Sequence, residues 1–398
     1  MPPHSAPPHT QPLIATPPQL DHLIAALGRT DLVAFDTEFH SERTYIPKLM
    51  LLQFATDQGL WLVDPLARLD LQPLMEALRR PGLTVVGHAL RNDLRILWLQ
   101  FGVLPAQVFD TQVAAAFLGH GLQIGLAGLL QSVLGVHQSK GDQMADWSRR
   151  PLPERMAGYA AGDVAHLLEL HKRLQAELTR RGRAAWVAEE CAVLTDGNVY
   201  VRDADAAFQR VAGGRRMDAR EAGLLRALAV EREAIAQEED LVPHFLLPDE
   251  TLHILARLAP KHRQELEGDR RLTHRTVQRY ADRWLQAVAR GLSEPFQRPA
   301  GRPPPSWELE AVAALLMLLV NDIALKQNIA PQMLVKRDAV LNAVREPHAT
   351  PEAWAEALEL KGWRAELLVG PLWQLLNGDL AVRCKQNQVS GLRVEFLE

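Results

Sequence analysis

Two carboxylates separated by one residue follow the first buried strand that the sequence predicts. Asp36 and Glu38 come directly after the apolar run at residues 32–35. Because side chains alternate between the two faces of a strand, both carboxylates point to the same side. Such a like-charge pair is unfavourable unless a cation lies between the groups, and hard divalent ions prefer these oxygen ligands. Taken alone, the pattern also fits a solvated turn.

Three further residues extend this pattern along the chain. Asp93 follows a second apolar run, in the segment 87–94, where the first turns of a helix are expected. Tyr159 and Asp163 are four residues apart, which places a phenol and a carboxylate on one helix face. A hydrogen-bonded surface pair would have the same spacing. In their fixed order on a strand, a helix start and a helix, the five residues predict a metal site beside a phenol.

The apolar pattern before residue 200 predicts strands first, then alternating helices and strands. A hairpin is expected where two apolar runs flank the turn Asp57-Gln58-Gly59. This order indicates an α/β domain with a mixed sheet over residues 19–200. The expected strands are 32–35, 49–55, 60–63, 83–86 and 107–110, and the expected helices are 71–79, 90–100, 124–134 and 155–178.

No strand is expected after residue 200, where two helical blocks remain. Pro and Gly are frequent between the blocks, which indicates a linker. The first residues are rich in Pro and His, and we expect a disordered lead there rather than a metal-binding segment. The remaining predicted boundaries are the lead at 1–18, helical blocks at 206–293 and 305–380, the linker at 294–304 and a C-terminal tail at 381–398.

Composition is that of an ordinary globular protein. Of 398 residues, 47% are hydrophobic and 23% charged, and the net charge of −4 gives no general attraction to nucleic acid. No apolar stretch is long enough to span a bilayer, and no secretory signal is visible. Cys191 and Cys384 are far apart, so neither a disulfide framework nor a zinc site is indicated. We therefore expect no membrane association and a cytoplasmic location.

The carboxylate motifs resemble those of a known family. The triplet 36–38, Asp93 and the Tyr159–Asp163 pair are similar to the three motifs of the DEDDy branch of the DnaQ-like 3′-5′ exonucleases, which implies a ribonuclease H-like α/β fold. Gly162 stands where the family usually has Ala, a departure that removes no carboxylate.

The resemblance extends over nearly the whole chain. Residues 42–49 and 146–152 are similar to segments typical of ribonuclease D. The two helical blocks resemble the tandem all-α HRDC domains of that enzyme, and the second block is the more divergent. The implied architecture is an exonuclease domain followed by two HRDC-like domains.

This resemblance implies a metal-dependent 3′-5′ exoribonuclease that releases nucleoside 5′-monophosphates. Asp36 would bridge two divalent ions, Mg²⁺ or Mn²⁺, about 3.5–4 Å apart, and Glu38 and Asp163 would complete one site. Asp93 would help to hold the second ion, and Tyr159 would orient or deprotonate the attacking water. The implied substrates are single-stranded RNA 3′ ends, including tRNA precursors and other small structured RNAs, and we expect a monomer.

Nucleotide contacts are expected beside the metal strand. Thr37, Phe39 and Gln53 are the candidates, although Phe39 is equally suited to a hydrophobic core. Trp147 fits a core position better than base stacking.

A second set of contacts is expected on the first helical block. Arg271, Arg275, Arg279 and Arg283 recur every fourth residue, which forms one basic stripe on a helix. The stripe could follow RNA phosphates, or it could be a solvated helix face. Residues 231–240 upstream carry a net charge of −4.

Two other functions fit parts of this pattern. One is an exonuclease for single-stranded DNA, because recognition of RNA requires contacts to the 2′-OH that no residue pattern reveals. The other is a nucleic-acid-binding HRDC scaffold with an inactive nuclease domain, which the presence of all four carboxylates argues against. Metal-dependent release of mononucleotides from single-stranded RNA, compared with DNA, distinguishes these functions.

Overall fold

The computed structural model describes most of the chain. The described residues are 13–138, 145–201, 204–213, 215, 217–268, 270–293, 304–387 and 391–397. Most of the predicted linker at 294–304, and residues 1–12 of the predicted lead, lie outside them. No helix in the described ranges is long and apolar enough to cross a membrane.

A five-stranded mixed sheet forms the centre of the N-terminal domain, as the sequence predicts. Its strands lie in the order β3-β2-β1-β4-β5, with β1–β2 and β2–β3 antiparallel and β1–β4 and β4–β5 parallel. The central strand continues past the predicted residue 35 and includes both motif carboxylates. The strands are β1 (Leu32–His40), β2 (Lys48–Thr56), β3 (Gly59–Val63), β4 (Thr84–Gly87) and β5 (Gln107–Asp110).

Helices cover both faces of this sheet and form the two blocks that follow. Those of the N-terminal domain are α1 (Pro17–Leu27), α2 (Gln72–Leu78), α3 (Arg91–Phe101), α4 (Thr111–Phe117), α5 (Leu126–Leu134), α6 (Glu154–Ala165), α7 (Leu167–Arg180) and α8 (Ala184–Val193). The first block contains α9 (Ala204–Ala212), α10 (Ala219–Glu238), α11 (Pro243–Leu246), α12 (Asp249–Leu258), α13 (Arg263–Glu267) and α14 (His274–Ser293). The second contains α15 (Trp307–Gln327), α16 (Arg337–Ala343), α17 (Pro351–Ala357) and α18 (Gly362–Asn377).

Two sequence predictions need correction at element boundaries. Ile14 extends the sheet beside β3 through hydrogen bonds to Leu62 O and from Asp64 N–H, so order begins within the predicted lead. The predicted helix 155–178 is two helices, because His166 leaves helical geometry at φ −110° and ψ −1°. This break lets α6 pack on β1–β3 while α7 packs on β1 and β4.

The predicted C-terminal tail is a β-hairpin instead. Its strands are β6 (Ala381–Asn387) and β7 (Gly391–Leu397), which pair antiparallel. Apolar residues alternate along β7, and this period of two is the strand signal that the sequence prediction overlooked.

The first helical block contacts the loop between β1 and β2. The Tyr45 hydroxyl donates a hydrogen bond to Glu233 Oε1 over 2.8 Å, and Tyr45 also packs against the apolar core of the block. The backbone N–H of Ile46 donates to Asp240 Oδ1 over 3.0 Å. Acidic residues at the C-terminal end of α10 therefore accept hydrogen bonds from the loop that follows β1, the strand that carries Asp36 and Glu38.

The second helical block packs against α8, which lies beside β5. Trp363 stacks on Trp186 with ring centroids 5.1 Å apart, and its indole N–H donates to Glu190 Oε1 over 3.0 Å. Glu190 also forms an ion pair with Arg364. Because one apolar core runs from the domain into this block, the block supports the sheet from the β5 side.

A buried carboxylate fixes the start of α3, the helix that carries Asp93. Asp110 accepts hydrogen bonds from the backbone N–H groups of Ala89 and Leu90 over 3.0 and 2.8 Å, and it also caps α4. Ala89 is held in the left-handed region at φ 59°, an unfavourable conformation for a residue with a Cβ. These hydrogen bonds stabilise the turn that aims α3 at β1.

Replacing Asp110 with Asn should lower the free energy of unfolding by about 1–3 kcal/mol. An asparagine amide at this position can accept at only one atom, so buried backbone N–H groups lose their partner. Chemical denaturation measures the change. Asp196→Asn is the matched control, because Asp196 caps a short exposed turn by accepting from Asn198 N–H. Equal losses in the two variants would contradict a special role for Asp110.

Candidate active site

Three carboxylates meet on the face of the sheet that α6 covers. Asp36 and Glu38 have the same parity on β1, and Asp163 lies in the last turn of α6. One oxygen from each of the three carboxylates lies within 4.8 Å of the other two. At this spacing one cation can contact all three groups.

Asp93 approaches the same place from the other side of β1. It lies in the first turn of α3, and its carboxylate accepts a hydrogen bond from the Thr37 hydroxyl. Thr37 has the opposite parity to Asp36 on the strand, so this bond ties α3 to the second face of β1. The structure thus brings all four predicted carboxylates to one segment of one strand.

Burial raises the pKa of three of these carboxyl groups, and repulsion from the other carboxylates adds to the rise at Asp36. Burial raises the pKa of Asp36 well above its usual value, and the charges of Asp93, Asp163 and Glu38 raise it further. Burial also raises the pKa of Asp93 to about 7, against the lowering effect of the Thr37 hydrogen bond. The unliganded site therefore retains protons at pH values where isolated carboxyl groups are ionised.

A glutamine amide donates a hydrogen bond to the carboxylate of Asp163. Gln138 Nε2 donates to Asp163 Oδ1 over 2.7 Å. Burial raises the pKa of Asp163 to about 7, and the hydrogen bond from Gln138 opposes this rise. No residue pattern distinguished Gln138, because it follows α5 in a stretch without regular structure.

This donor set fits a hard divalent cation. All its members offer carboxylate oxygens, the ligands that Mg²⁺ and Mn²⁺ favour, and no thiolate or imidazole joins the cluster of Asp36, Glu38 and Asp163 among the described residues. A divalent cation would also offset the repulsion from Asp93, Asp163 and Glu38 that adds to the raised pKa of Asp36. We therefore regard the site as one for divalent metal.

Tyr159 lies one helical turn before Asp163 on α6, as the sequence predicts. Its side chain is half-buried, and its ring centroid is 6.1 Å from that of Trp147. Trp147 is only 2% exposed, so it belongs to the core and is not a surface for base stacking. The indole therefore forms part of the wall against which the phenol packs.

An arginine fork holds the Trp147 segment in place. Arg150 donates to both carboxylate oxygens of Asp64 over 2.6 and 2.8 Å, and to the carbonyl oxygens of Met50 and Trp147 over 2.8 and 2.9 Å. Such bidentate, charge-assisted hydrogen bonds are strong and directional. The 146–152 motif thus joins the strand that follows the carboxylates to the wall behind Tyr159.

A groove with a volume of about 690 Å³ opens beside Phe39, the residue that directly follows Glu38. Its charged lining residues are the basic Arg43 and Lys48 and the acidic Glu42 and Asp146. The aromatic ring and the two basic side chains are groups that can contact the bases and phosphates of a single-stranded nucleic acid.

The residues predicted to contact nucleotides differ in their surroundings. Phe39 is half-buried, packs against the core on one side and lines the groove on the other, so both predicted roles are compatible with its position. Thr37 is buried and bonded to Asp93. Gln53 is 0% exposed, so its side chain offers no surface to a nucleotide, and the predicted direct contact needs correction.

The predicted stripe is shorter on the structure, because Arg271 precedes α14 and only Arg275, Arg279 and Arg283 lie on this helix. Two of these three arginines pair with the acidic end of α10. Arg279 pairs with Glu239 over 2.6 Å, and Arg283 pairs with Glu231 and Glu238 over 2.6 and 2.5 Å. These two arginines therefore join two helices, and the phosphate contact that the sequence suggests for them stays a prediction. Arg275 is exposed, and no carboxylate in the described chain forms an ion pair with it.

Comparison with known proteins agrees with this geometry. A family model described as a 3′-5′ exonuclease matches residues 13–179, and a model described as an HRDC domain matches residues 221–288.

Curated relatives match along nearly the full chain. Ribonuclease D of Granulibacter bethesdensis is 35% identical, with 95% of each chain covered, and ribonuclease D of Jannaschia sp. is 35% identical, with 97% of this chain and 100% of the relative covered.

Solved structures give the same result. The crystal structure of Escherichia coli RNase D, described as an exoribonuclease involved in structured RNA processing, superposes with a TM-score of 0.77 at 28% identity. The match covers 92% of this chain and 98% of that one. From its fold, its clustered carboxylates and these relatives, the chain belongs to the ribonuclease D family and is a 3′-5′ exoribonuclease.

Proposed function

We propose that this enzyme trims RNA 3′ ends at a site for two divalent ions held by Asp36, Glu38, Asp93 and Asp163. The observation that supports this most directly is the meeting of three carboxylates within 4.8 Å, with Asp93 fixed beside them by Thr37. Divalent ions bound there would activate water and stabilise charge on the attacking and leaving oxygens. Mg²⁺ and Mn²⁺ both suit the donors.

Each side chain then has a distinct task. Asp36, which the other three carboxylates face, would help to hold both ions, and Asp93 on α3 would help to hold the second. Tyr159, adjacent to Asp163 on α6, orients the attacking water and accepts its hydrogen bond. The product is a nucleoside 5′-monophosphate, because the phosphate stays with the released nucleotide when the 3′-oxygen departs.

The groove beside Phe39 is the proposed entry for a single strand. Arg43 and Lys48 would contact phosphates, and the exposed ring face of Phe39 would contact a base. A duplex end cannot bring its terminal phosphodiester to the carboxylates without separating its strands. Extended 3′ ends of tRNA precursors and other small structured RNAs therefore fit the site, in line with the structured RNA processing described for the Escherichia coli relative.

The predicted domain plan accompanies this proposal. Residues 19–200 form the catalytic domain, 206–293 bind RNA as an HRDC domain, and 305–380 are a divergent second HRDC-like domain that mainly stabilises the fold. The indole stack and ion pair that join this last block to α8 are consistent with such a stabilising role. We propose a monomer that acts in the cytoplasm.

Asp163→Asn should abolish hydrolysis while the fold is retained, because it removes one metal ligand without changing side-chain volume. Tyr159→Phe should slow hydrolysis by about 10²–10⁴-fold. A 5′-labelled RNA with a structured 5′ part and a single-stranded 3′ extension reports product length, and chromatography identifies the mononucleotide. Glu169→Gln is the control, since Glu169 is an exposed carboxylate on α7 paired with Arg173.

The same assay with a DNA extension separates the main alternative. Preference for RNA is expected, and equal cleavage of both extensions would favour a general single-strand exonuclease. Undiminished hydrolysis by Asp163→Asn would contradict the metal site itself.

The raised carboxyl pKa values predict an unusual pH dependence of stability. Between about pH 4 and 7 the folded metal-free protein retains protons that the unfolded chain releases, so its free energy of unfolding falls as pH rises. Asp163→Asn removes part of this effect. The Tm of the wild type relative to that of the variant should therefore fall by several degrees from pH 4 to pH 8.

Added Mn²⁺ should restore the wild-type Tm at pH 8 and leave that of the Asp163→Asn variant almost unchanged. Differential scanning calorimetry of protein stripped with a chelator, with and without Mn²⁺, measures both effects. A difference in Tm that does not vary with pH would contradict the raised pKa of Asp163.

Arg275 is the proposed phosphate contact of the first helical block. Arg275→Glu should weaken binding of single-stranded RNA and reduce the slope of log affinity against log salt by at least about 1. Arg283→Gln should instead lower the thermal stability of the block, because it breaks the ion pairs with α10. Fluorescence anisotropy at several salt concentrations distinguishes the two variants. An unchanged slope for Arg275→Glu would rule out the phosphate contact of Arg275.

A further inference from the structure

A completely buried amide without a partner lies in the middle of the sheet. Gln53 on β2 is 0% exposed, and neither its Oε1 nor its Nε2 forms a hydrogen bond. In the part of the chain that the structure describes, no other buried side chain leaves two polar atoms unpaired in this way. Burial of an unpaired amide opposes folding, so a core selected for stability alone would have an apolar residue here.

The register of the sheet places this amide beside the carboxylate site. Gln53 is directly opposite Asp36 in the β1–β2 ladder, and directly opposed residues of an antiparallel pair share a face. The neighbours of the same parity on β2, Leu51 and Ala55, belong to the apolar core that includes Ala160 of α6. Gln53 therefore lies between the sheet and α6, on the side where the carboxylates meet.

The carboxylates of Asp93, Asp163 and Glu38 all face Asp36, and the backbone N–H of Thr37 donates to it. A carboxylate that binds a cation with one oxygen is normally fixed by a hydrogen bond to the other oxygen, and removal of such a partner weakens metal affinity. The Gln53 amide is an uncommitted donor directly across the ladder.

We propose that Gln53 is a positioning residue of the metal site: its amide N–H, which has no partner in the metal-free structure, donates to the Asp36 carboxylate when the ions bind and fixes the orientation of that carboxylate toward them. This inference rests on the proposed metal site and adds a residue that contacts neither RNA nor ion. It explains why a polar side chain occupies a position surrounded by apolar ones. It also replaces the nucleotide contact that the sequence suggested for Gln53.

Gln53→Met tests the proposal because methionine keeps the length and volume of the side chain and removes both polar atoms. In chelator-stripped protein the variant should unfold at the same or a higher temperature than the wild type, since an unpaired buried amide is gone. The dissociation constant for Mn²⁺, measured by calorimetry on the full chain without RNA, should rise by about 10–100-fold. Gln53→Leu should behave in the same way and serves as the second variant.

Thr56→Val is the matched control on the same strand. The Thr56 hydroxyl accepts a hydrogen bond from Gln58 N–H over 3.0 Å and lies at the other end of β2 from the site. This variant should unfold at a lower temperature and bind Mn²⁺ as the wild type does.

Lower stability of both Gln53 variants without metal, together with unchanged Mn²⁺ affinity, would overturn the proposal and leave Gln53 as a structural residue. Failure of the metal site itself gives a different result. In that case the wild type and Asp36→Asn would bind Mn²⁺ equally weakly, whatever residue stands at position 53.

Discussion

Repulsion among carboxylates at one end of β1 is the constraint on which the rest of the active site depends. Asp36, Glu38 and Asp163 bring their oxygens within 4.8 Å, and Asp93 is bonded to the intervening Thr37. Nothing within this group favours its assembly at neutral pH in the absence of a cation. The surrounding fold must supply the free energy that holds it together.

Several contacts around the site supply this free energy. Asp110 fixes the left-handed turn before α3, Gln138 bonds to Asp163, and the Arg150–Asp64 fork holds the wall behind Tyr159. Each contact is hydrogen-bonded and at least partly buried, so each resists the movement that would relax the repulsion. The site is consequently preorganised for a cation, at a cost in the stability of the metal-free protein.

The two helical blocks attach to different parts of this framework. The first is hydrogen-bonded to the loop after β1, and residues of this loop also line the groove beside Phe39. The second shares an apolar core with α8, and stacked indoles and an ion pair also join the two. RNA held by the first block would therefore act on the chain next to the catalytic strand, whereas changes in the second would act mainly on stability.

The sequence was sufficient for the order of the strands along the chain, the mixed sheet and the grouping of the four carboxylates. These follow from local apolar periods and from motif order, which are properties of short segments. The sequence did not reveal Gln138 or Asp110, because each acts on a residue far along the chain through contacts that only the tertiary fold creates. For the same reason the sequence did not show that arginines of the basic stripe pair with carboxylates, since the pairing of α14 with α10 cannot be read from either helix alone. The β6–β7 hairpin, by contrast, had a visible alternation that was overlooked.

Anomalous diffraction from crystals of the protein soaked in Mn²⁺ with a non-hydrolysable RNA 3′ end tests the central claim most directly. We predict two peaks about 3.5–4 Å apart, both within bonding distance of Asp36, with Glu38 and Asp163 on one and Asp93 nearer the other. Absence of manganese from these four carboxylates, in crystals that contain the RNA 3′ end in the groove beside Phe39, would contradict the account.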